Sequence, residues 1–232
     1  MDKYEIVKKI EKFAPVETQE QWDCSGWGVE CSKSRLGIPA QQNEINRILF
    51  CLTVTDNIIN QAREKNCDMI ISHHPLFYVP IEWKDINIYS AHTNLDLAEG
   101  GTTDTLIAKL GFKKSENQSF VRIVRLDNAI SAEELKQKLL KIAPKLRYVN
   151  NFNQTEVKTI GFCAGSGSEF VNETECDAFV TGDLKFHTAL ELNKLTFDIG
   201  HFESEIFAPE LLKEITQVKE RGIIADEKSP FI

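Results

Sequence analysis

The sequence predicts an α/β fold made of two similar layered α/β domains related by internal duplication. Two observations carry this. First, short β-branched runs alternate with longer segments whose apolar residues recur every three or four positions. That is the pattern of strands and amphipathic helices packed in layers on a largely parallel sheet. Second, two windows of 29 residues, Asp68–Asp96 and Asp177–Glu205, follow one plan. Each follows a cysteine, Cys67 or Cys176, and opens with an acid and an apolar run. Each then reaches a histidine 24 residues after its opening acid and closes on a carboxylate four residues further on. Upstream, ILFCLTV (48–54) resembles IGFCAGS (160–166). Self-similarity of this kind marks one supersecondary unit used twice.

In order, strands are expected over Ile45–Val54, Asp68–Ser72, Ile86–Ser90, Val121–Leu126, Val157–Cys163, Asp177–Thr181 and Phe197–Gly200. Helices are expected over Lys3–Phe13, Asn57–Lys65, Thr103–Leu110, Ala132–Ile142, Glu169–Glu175, Leu184–Asn193 and Glu205–Val218. Ser131 and Glu134 form a capping-box signature, Asp56 is a candidate N-cap, and Gly111 is a helix stop. The polar stretch KKSENQ (113–118) marks the seam, giving a first domain over 1–113 and a second over 114–232.

Composition narrows the function classes. The 232 residues are 42% hydrophobic and 27% charged, ordinary for a soluble domain protein, and the net charge is −8. An acidic balance argues against nucleic acid or an anionic membrane surface as the main partner. No apolar run reaches membrane-spanning length, and MDKYEIVKKIEKFAP reads as a charged amphipathic helix rather than a signal peptide. The six scattered cysteines form no C-x-x-C pair, so reduced thiols and a cytoplasmic location are expected. A disulfide or metal pair at Cys24 and Cys31 is the lesser alternative.

The chemistry concentrates in the histidines. All five, His73, His74, His92, His187 and His201, lie inside the two matched windows. Asp96 and Glu205 close those windows. Imidazole with carboxylate is a ligand set for Zn, Mn, Fe or Ni. Neighbouring side chains on a strand point to opposite faces, and Ser72 and Pro75 place the His73–His74 pair just past a strand end. Sites in open α/β sheets form there, and two diverging imidazoles suit two adjacent metals better than one. His201 and Glu205 share one face if their segment is helical. Asp183 falls where His74 lies in the other window and can orient a ligand or a substrate. The turn in GFCAGSGSEF (161–170) is open to two readings, an anion cradle or a tight strand–helix turn. QWDCSGWGVE (21–30) reads as a loop at a pocket rim or in the core.

ISHHPLF, AHTNLD, GG-x-x-D, GSGS, TGD-x-K-x-H and GH-x-x-SE occur together and in this order. In this the chain resembles the NIF-three-like dinuclear-metal proteins, also named GTP cyclohydrolase I type 2 homologs, from QWD near its start to SPF near its end. The chain departs from the family at Cys24, where Asn is common, and at Ala164, where Gly is common. The resemblance implies a homohexamer of two similar α/β domains with two divalent metal ions per subunit. It implies that His73 and Asp96 hold one ion, His74 and His201 the other, with Glu205 bridging and His92 lining the site. The implied activity is metal-dependent hydrolysis of a small molecule. One form is ring opening of GTP with formate release, and another nucleotide or a phosphoester is an alternative substrate. His92 and His187 are candidates to move protons. The competing class is a non-catalytic metal-binding or partner-binding regulator or scaffold.

Overall fold

The computed structural model describes residues 1–31, 43–114 and 116–231. The chain begins with α1 (Lys3–Phe13), whose first turn is capped by the Asp2 carboxylate accepting from the Tyr4 N–H. Its Ile6, Val7 and Ile10 are buried, as their spacing requires. Next come β1 (Gly26–Val29), β2 (Ile48–Cys51) and α2 (Asp56–Glu64). The cap of α2 is Thr55, one residue before the expected Asp56, because the Thr55 hydroxyl accepts from the Ile58 N–H. β3 (Met69–Ser72), β4 (Asn87–Ser90) and the short α3 (Thr93–Leu97) follow.

The next stretch runs through α4 (Thr102–Lys109), stopped by Gly111 in the left-handed region at φ 77°, then β5 (Glu116–Gln118) and β6 (Val121–Ser131). α5 (Ala132–Leu139) starts where the sequence marks it, with the Ser131 hydroxyl accepting from the Glu134 N–H at 3.0 Å. β7 (Arg147–Val149), β8 (Glu156–Ser166), β9 (Ala178–Gly182), α6 (Phe186–Leu190), β10 (Leu195–Asp198) and α7 (His201–Glu205) complete it. The chain ends with α8 (Ala208–Thr216) and β11 (Gly222–Ile224).

Two compact units result, Met1–Gly101 with Ala208–Ile232, and Thr102–Phe207. This partition differs from a seam at residue 113 in two places. Leu106 and Ile107 of α4 pack with Phe162, Val180 and Phe197 of the second unit. Leu212 of α8 and Val218 pack with Ile6, Ile10 and Phe50 of the first, and β11 pairs with β2. Both moves bury apolar faces that a cut at the polar KKSENQ stretch would leave bare.

Among the described residues, the first unit's sheet runs β1-β4-β3-β2-β11 and the second's runs β5-β6-β8-β9-β10-β7. The architecture is therefore mixed α/β with two sheets. β2, β3, β4 and β11 are parallel, with β1 antiparallel on the edge. In the second sheet only β8, β9 and β10 run parallel. β1, β5 and β7 are short edge strands without the β-branched runs that mark buried ones. The segment 169–175 forms turns rather than the expected helix, with Val171 buried in the core from a turn. The long helix expected over Glu205–Val218 is split, because Pro209 has no N–H to bond back to residue 205.

The repeat extends to hydrogen-bonding detail. In each unit three consecutive parallel strands lie side by side, β2-β3-β4 and β8-β9-β10. The opening acids of the two windows do the same work. Asp68 Oδ2 accepts from the Asn46 and Arg47 N–H groups at 2.7 and 3.1 Å, just before β2. Asp177 Oδ2 accepts from the Lys158 and Thr159 N–H groups at 2.9 and 2.8 Å, and from the Thr159 hydroxyl. Burial raises the Asp177 carboxyl, but these donors outweigh it and hold the group below its ordinary value. A depressed carboxyl stabilises the fold above its unfolded pKa of about 3.9 and loses that contribution as pH falls through the lower folded value. Asp177→Ala is expected to cost about 1–2 kcal/mol at pH 7. The gap to the parent should close in acid, as read by urea titrations across pH.

Candidate metal centre

In the first unit the ligand-type side chains gather where β3 ends. Ser72 is the last strand residue. The His73 N–H still donates to the Cys51 carbonyl and the His74 N–H to the Leu52 carbonyl. The Ser72 hydroxyl donates to the His74 carbonyl at 2.9 Å and is paired with Ser90 Oγ at 2.8 Å. The turn beyond the strand is thus tied down, and strand alternation no longer governs the two imidazoles. They do not diverge to opposite faces. Their ring centroids are 5.1 Å apart.

Each ring is aimed through Nδ1. His73, fully buried, has Nδ1 2.8 Å from the Ala91 carbonyl, which can only accept, so the proton sits on Nδ1 and Nε2 presents a lone pair. Its Nε2 is 3.5 Å from Asp96 Oδ1. His74 Nδ1 is 2.6 Å from the Thr53 hydroxyl. Thr53 is itself fixed by the Glu227 carboxylate, which accepts from the Leu52 and Thr53 N–H groups at 2.6 and 3.1 Å. Burial raises the Glu227 carboxyl and those two donors oppose the rise. His92 Nδ1 is 2.9 Å from Asp23 Oδ1. Burial pushes the Asp23 carboxyl up, but the hydrogen bonds from Thr93 and His92, the His92 charge and the Cys24 N–H outweigh it and leave it below its ordinary value. Trp22 sets its ring edge-to-face on His92 at 5.9 Å. The donor atoms of His73, His74 and His92 all lie within 4.8 Å of one another.

In the second unit the corresponding elements repeat the plan. His201 opens α7, with Nδ1 2.6 Å from Asp183 Oδ2 and Nε2 2.9 Å from the buried Glu205 carboxylate. Burial lowers the His201 pKa, but Glu205 and then Asp183 override it and raise the group to about 9. Asp183 therefore orients His201. The GSGS turn is a tight turn. Its Gly165 N–H donates to Ser204 Oγ at 2.9 Å and its Gly167 N–H to Thr181 Oγ1 at 2.8 Å, so these two donors are turned inward.

Of the residues expected from the sequence, His73, His74, His92 and Asp96 meet in the first unit, and His201, Glu205 and Asp183 in the second. His187 is exposed on α6 against Phe186 and joins no group of ligand-type side chains among the described residues. Sequence reading missed the partners behind the rings, Asp23, Thr53 and Glu227. QWD was visible as a loop, but nothing local ties residue 23 to residue 92. The donor set fits a divalent transition ion. Neutral imidazoles and carboxylates are its ligands, and a carboxylate, hydroxyl or carbonyl behind each ring is the usual support.

Comparison with known proteins gives the family. Residues 1–227 match the family model described as Duf34/NIF3 (NGG1p interacting factor 3). A GTP cyclohydrolase 1 type 2 homolog of Campylobacter jejuni is 31% identical, over 98% of this chain and 97% of its own length. The NGG1-interacting factor 3 of Saccharomyces cerevisiae is 22% identical, over 96% and 93%. Among solved structures, a Thermus thermophilus protein superposes with a TM-score of 0.82 at 20% identity, over 99% of this chain and 100% of its own. A Bacillus cereus protein related to NIF3 gives 0.80 at 19% identity, over 100% and 99%. By sequence and by fold, the chain belongs to the Duf34/NIF3 family.

Proposed function

We propose that the chain is a dinuclear divalent-metal-dependent hydrolase acting on a small molecule, with GTP or another nucleotide as the first candidate. The supporting observation is the set of imidazole and carboxylate donors that each unit collects past its parallel strands, every imidazole oriented through Nδ1. In this reading His73 and Asp96 serve one ion, His74 and His201 the other, and Glu205 both. Bound there, divalent ions supply Lewis acidity and lower the pKa of water enough to make it a nucleophile near neutral pH.

The chain's own residues hold ligands and handle protons. The Ala91 carbonyl fixes the tautomer and orientation of His73, and Thr53 and Asp183 fix the orientations of His74 and His201. Asp23 orients His92 through Nδ1, which leaves Nε2 to take a proton and return it to a leaving group. Exposed His187 is a second candidate carrier. Homohexameric assembly and a cytoplasmic location belong to the same proposal. No helix among the described residues is long and apolar enough to cross a membrane. The second reading, a regulatory metal-binding protein without turnover, is favoured by the yeast relative's name, which records an interaction.

Metal analysis followed by assays on GTP and a nucleotide panel separates the two. Full metal content with formate or phosphate release is the expected result. His74→Ala and Glu205→Gln should each lose bound metal and at least about 10–100-fold of the turnover. A fully loaded protein inert on every substrate removes the hydrolase reading, and unchanged turnover in both variants removes the site.

A further inference from the structure

The chain has three tryptophans, and two of them are packed. Trp27 sets its ring edge-to-face with Tyr4 and Tyr89 at 6.3 and 5.3 Å, and Trp83 is buried with its indole N–H donated to Asp56 Oδ1 at 3.2 Å. Trp22 is 62% exposed. Its ring meets His92 edge-to-face, at 5.9 Å and 78°. Such a contact takes up one face or one edge of the indole and leaves a broad face open. The exposure does not come from a loose loop. The Glu20 N–H donates to Thr93 Oγ1 at 3.0 Å, Asp23 Oδ2 accepts from the Thr93 N–H at 3.1 Å, and the Ser25 hydroxyl donates to Asn94 Oδ1 at 2.8 Å. The residues on both sides of Trp22 are thus fastened to α3, which begins just after His92. Holding a ring of this size in water forgoes one of the larger burial gains a side chain offers. Cys24 Sγ lies 3.8 Å from the Leu76 carbonyl oxygen, and Phe77 and Tyr78 beyond it are exposed, so further rings stand on the adjoining loop. The neighbourhood also lacks basic side chains. Segments 20–25, 71–81 and 91–98, which carry Trp22, the paired histidines, His92 and Asp96, contain no Lys or Arg. A ligand's phosphate meets no ammonium or guanidinium from those segments, so its uncharged part must supply the contact on this side.

We propose that Trp22 is a stacking platform for the purine base of a nucleotide, and so a specificity-determining residue of the site described above. Every base presents a π-face, stacking needs no fixed hydrogen-bond partners, and the bicyclic indole matches a purine in area. The His92 ring stands 5.3 and 5.6 Å from those of His73 and His74, so a base on Trp22 lies beside the ligand cluster. The proposal rests on the reading that this site takes a small molecule. It narrows that reading, because a phosphoester without a base gains nothing from the ring.

The metal-loaded full chain is titrated with GMP, AMP and ribose 5-phosphate, which has no base. Calorimetry reads affinity, and tryptophan fluorescence reads contact with the ring. GMP and AMP are expected to bind alike, to bind more tightly than ribose 5-phosphate, and to quench emission that Trp22→Phe lacks. Trp22→Ala should weaken both nucleotides by about 5–150-fold, the loss that removing one base–aromatic stack gives, and spare ribose 5-phosphate. Trp22→Leu, which fills space without a π-face, should lose as much, and carries the test where the Ala variant does not fold. Trp22→Phe should keep most of the affinity. The proposal is overturned if ribose 5-phosphate binds as tightly as GMP, or if the Ala and Leu variants bind GMP as the parent does. Trp22 emission that becomes shielded from acrylamide as protein concentration rises, with no nucleotide present, would assign the ring to a contact between copies and overturn it too. No turnover is read. A protein inert in the assays above can pass and an active hydrolase can fail, so the two readings fall separately.

Discussion

Gly165→Ala is expected to leave the fold intact and, on the function proposed above, to remove most of the metal binding and turnover. Gly165 has φ 67°, and a Cβ there would sit 2.2 Å from Oε1 of Glu205. The two consequences differ in size. Placing Ala in the left-handed region costs about 1 kcal/mol, which a domain of ordinary stability survives. The clash falls on the far end of a flexible side chain, so the backbone need not move. The Glu205 carboxylate must move instead, away from His201 Nε2 at 2.9 Å. Bound metal and turnover should fall by about 10–100-fold, as for other displaced ligands or their supports. Thermal unfolding of the metal-free protein should shift by only a few degrees. Metal analysis beside a melting curve checks both halves. A variant that keeps its metal and its turnover would show that Glu205 does no work there.

Gly182→Ala should do the reverse and damage the second unit itself. A Cβ at Gly182 would lie 2.7 Å from the His201 backbone nitrogen, 2.8 Å from the Gly165 carbonyl oxygen and 2.8 Å from the Gly200 carbonyl carbon. These are all main-chain atoms on segments already held by hydrogen bonds, and no rotamer change relieves them. A cost of about 2–4 kcal/mol is expected, a large share of a typical domain's stability. Denaturant titration should show a lowered midpoint both in the metal-free protein and after metal is added. A midpoint within error of the parent would mean that the β9 and α7 backbones separate more easily than their bonding implies.

Gly182 also explains why the two windows diverge. In the repeat it stands where His73 stands, and Asp183 where His74 does. Backbone closes on position 182, so no imidazole fits. The next residue then turns to His201 as a hydrogen-bond partner, whereas His74 turns its ring toward His92. The sequence displays this substitution, and the packing accounts for it.

Several site residues were legible because their signals are local. The two histidines followed by proline, the H-x-x-x-[DE] spacing and the paired windows need only adjacent letters. The strand end could be read from Ser72 and Pro75 alone. Asp23 could not, because its bond to His92 joins a loop to a strand end 69 residues later. Glu227 reaches Leu52 and Thr53 across 175 and 174 residues, which no spacing rule anticipates. Neighbouring side chains at 73 and 74 were expected to diverge. They converge because the strand that would have alternated them ends one residue earlier.

The sequence by itself determined the α/β class and the paired windows, gave the family through the resemblance of its short motifs, and offered candidate metal ligands. All of these follow from periodicity, composition and short motifs, which are properties of consecutive residues. Only the tertiary structure decided that α4 joins the second unit and α8 the first, since apolar faces choose their partners by burial across the whole chain. Only it decided which group stands behind each imidazole, and hence which nitrogen faces inward. A ring's tautomer is set by whatever acceptor the fold brings to Nδ1, and that acceptor comes from a distant segment or from a backbone carbonyl that no side-chain pattern records.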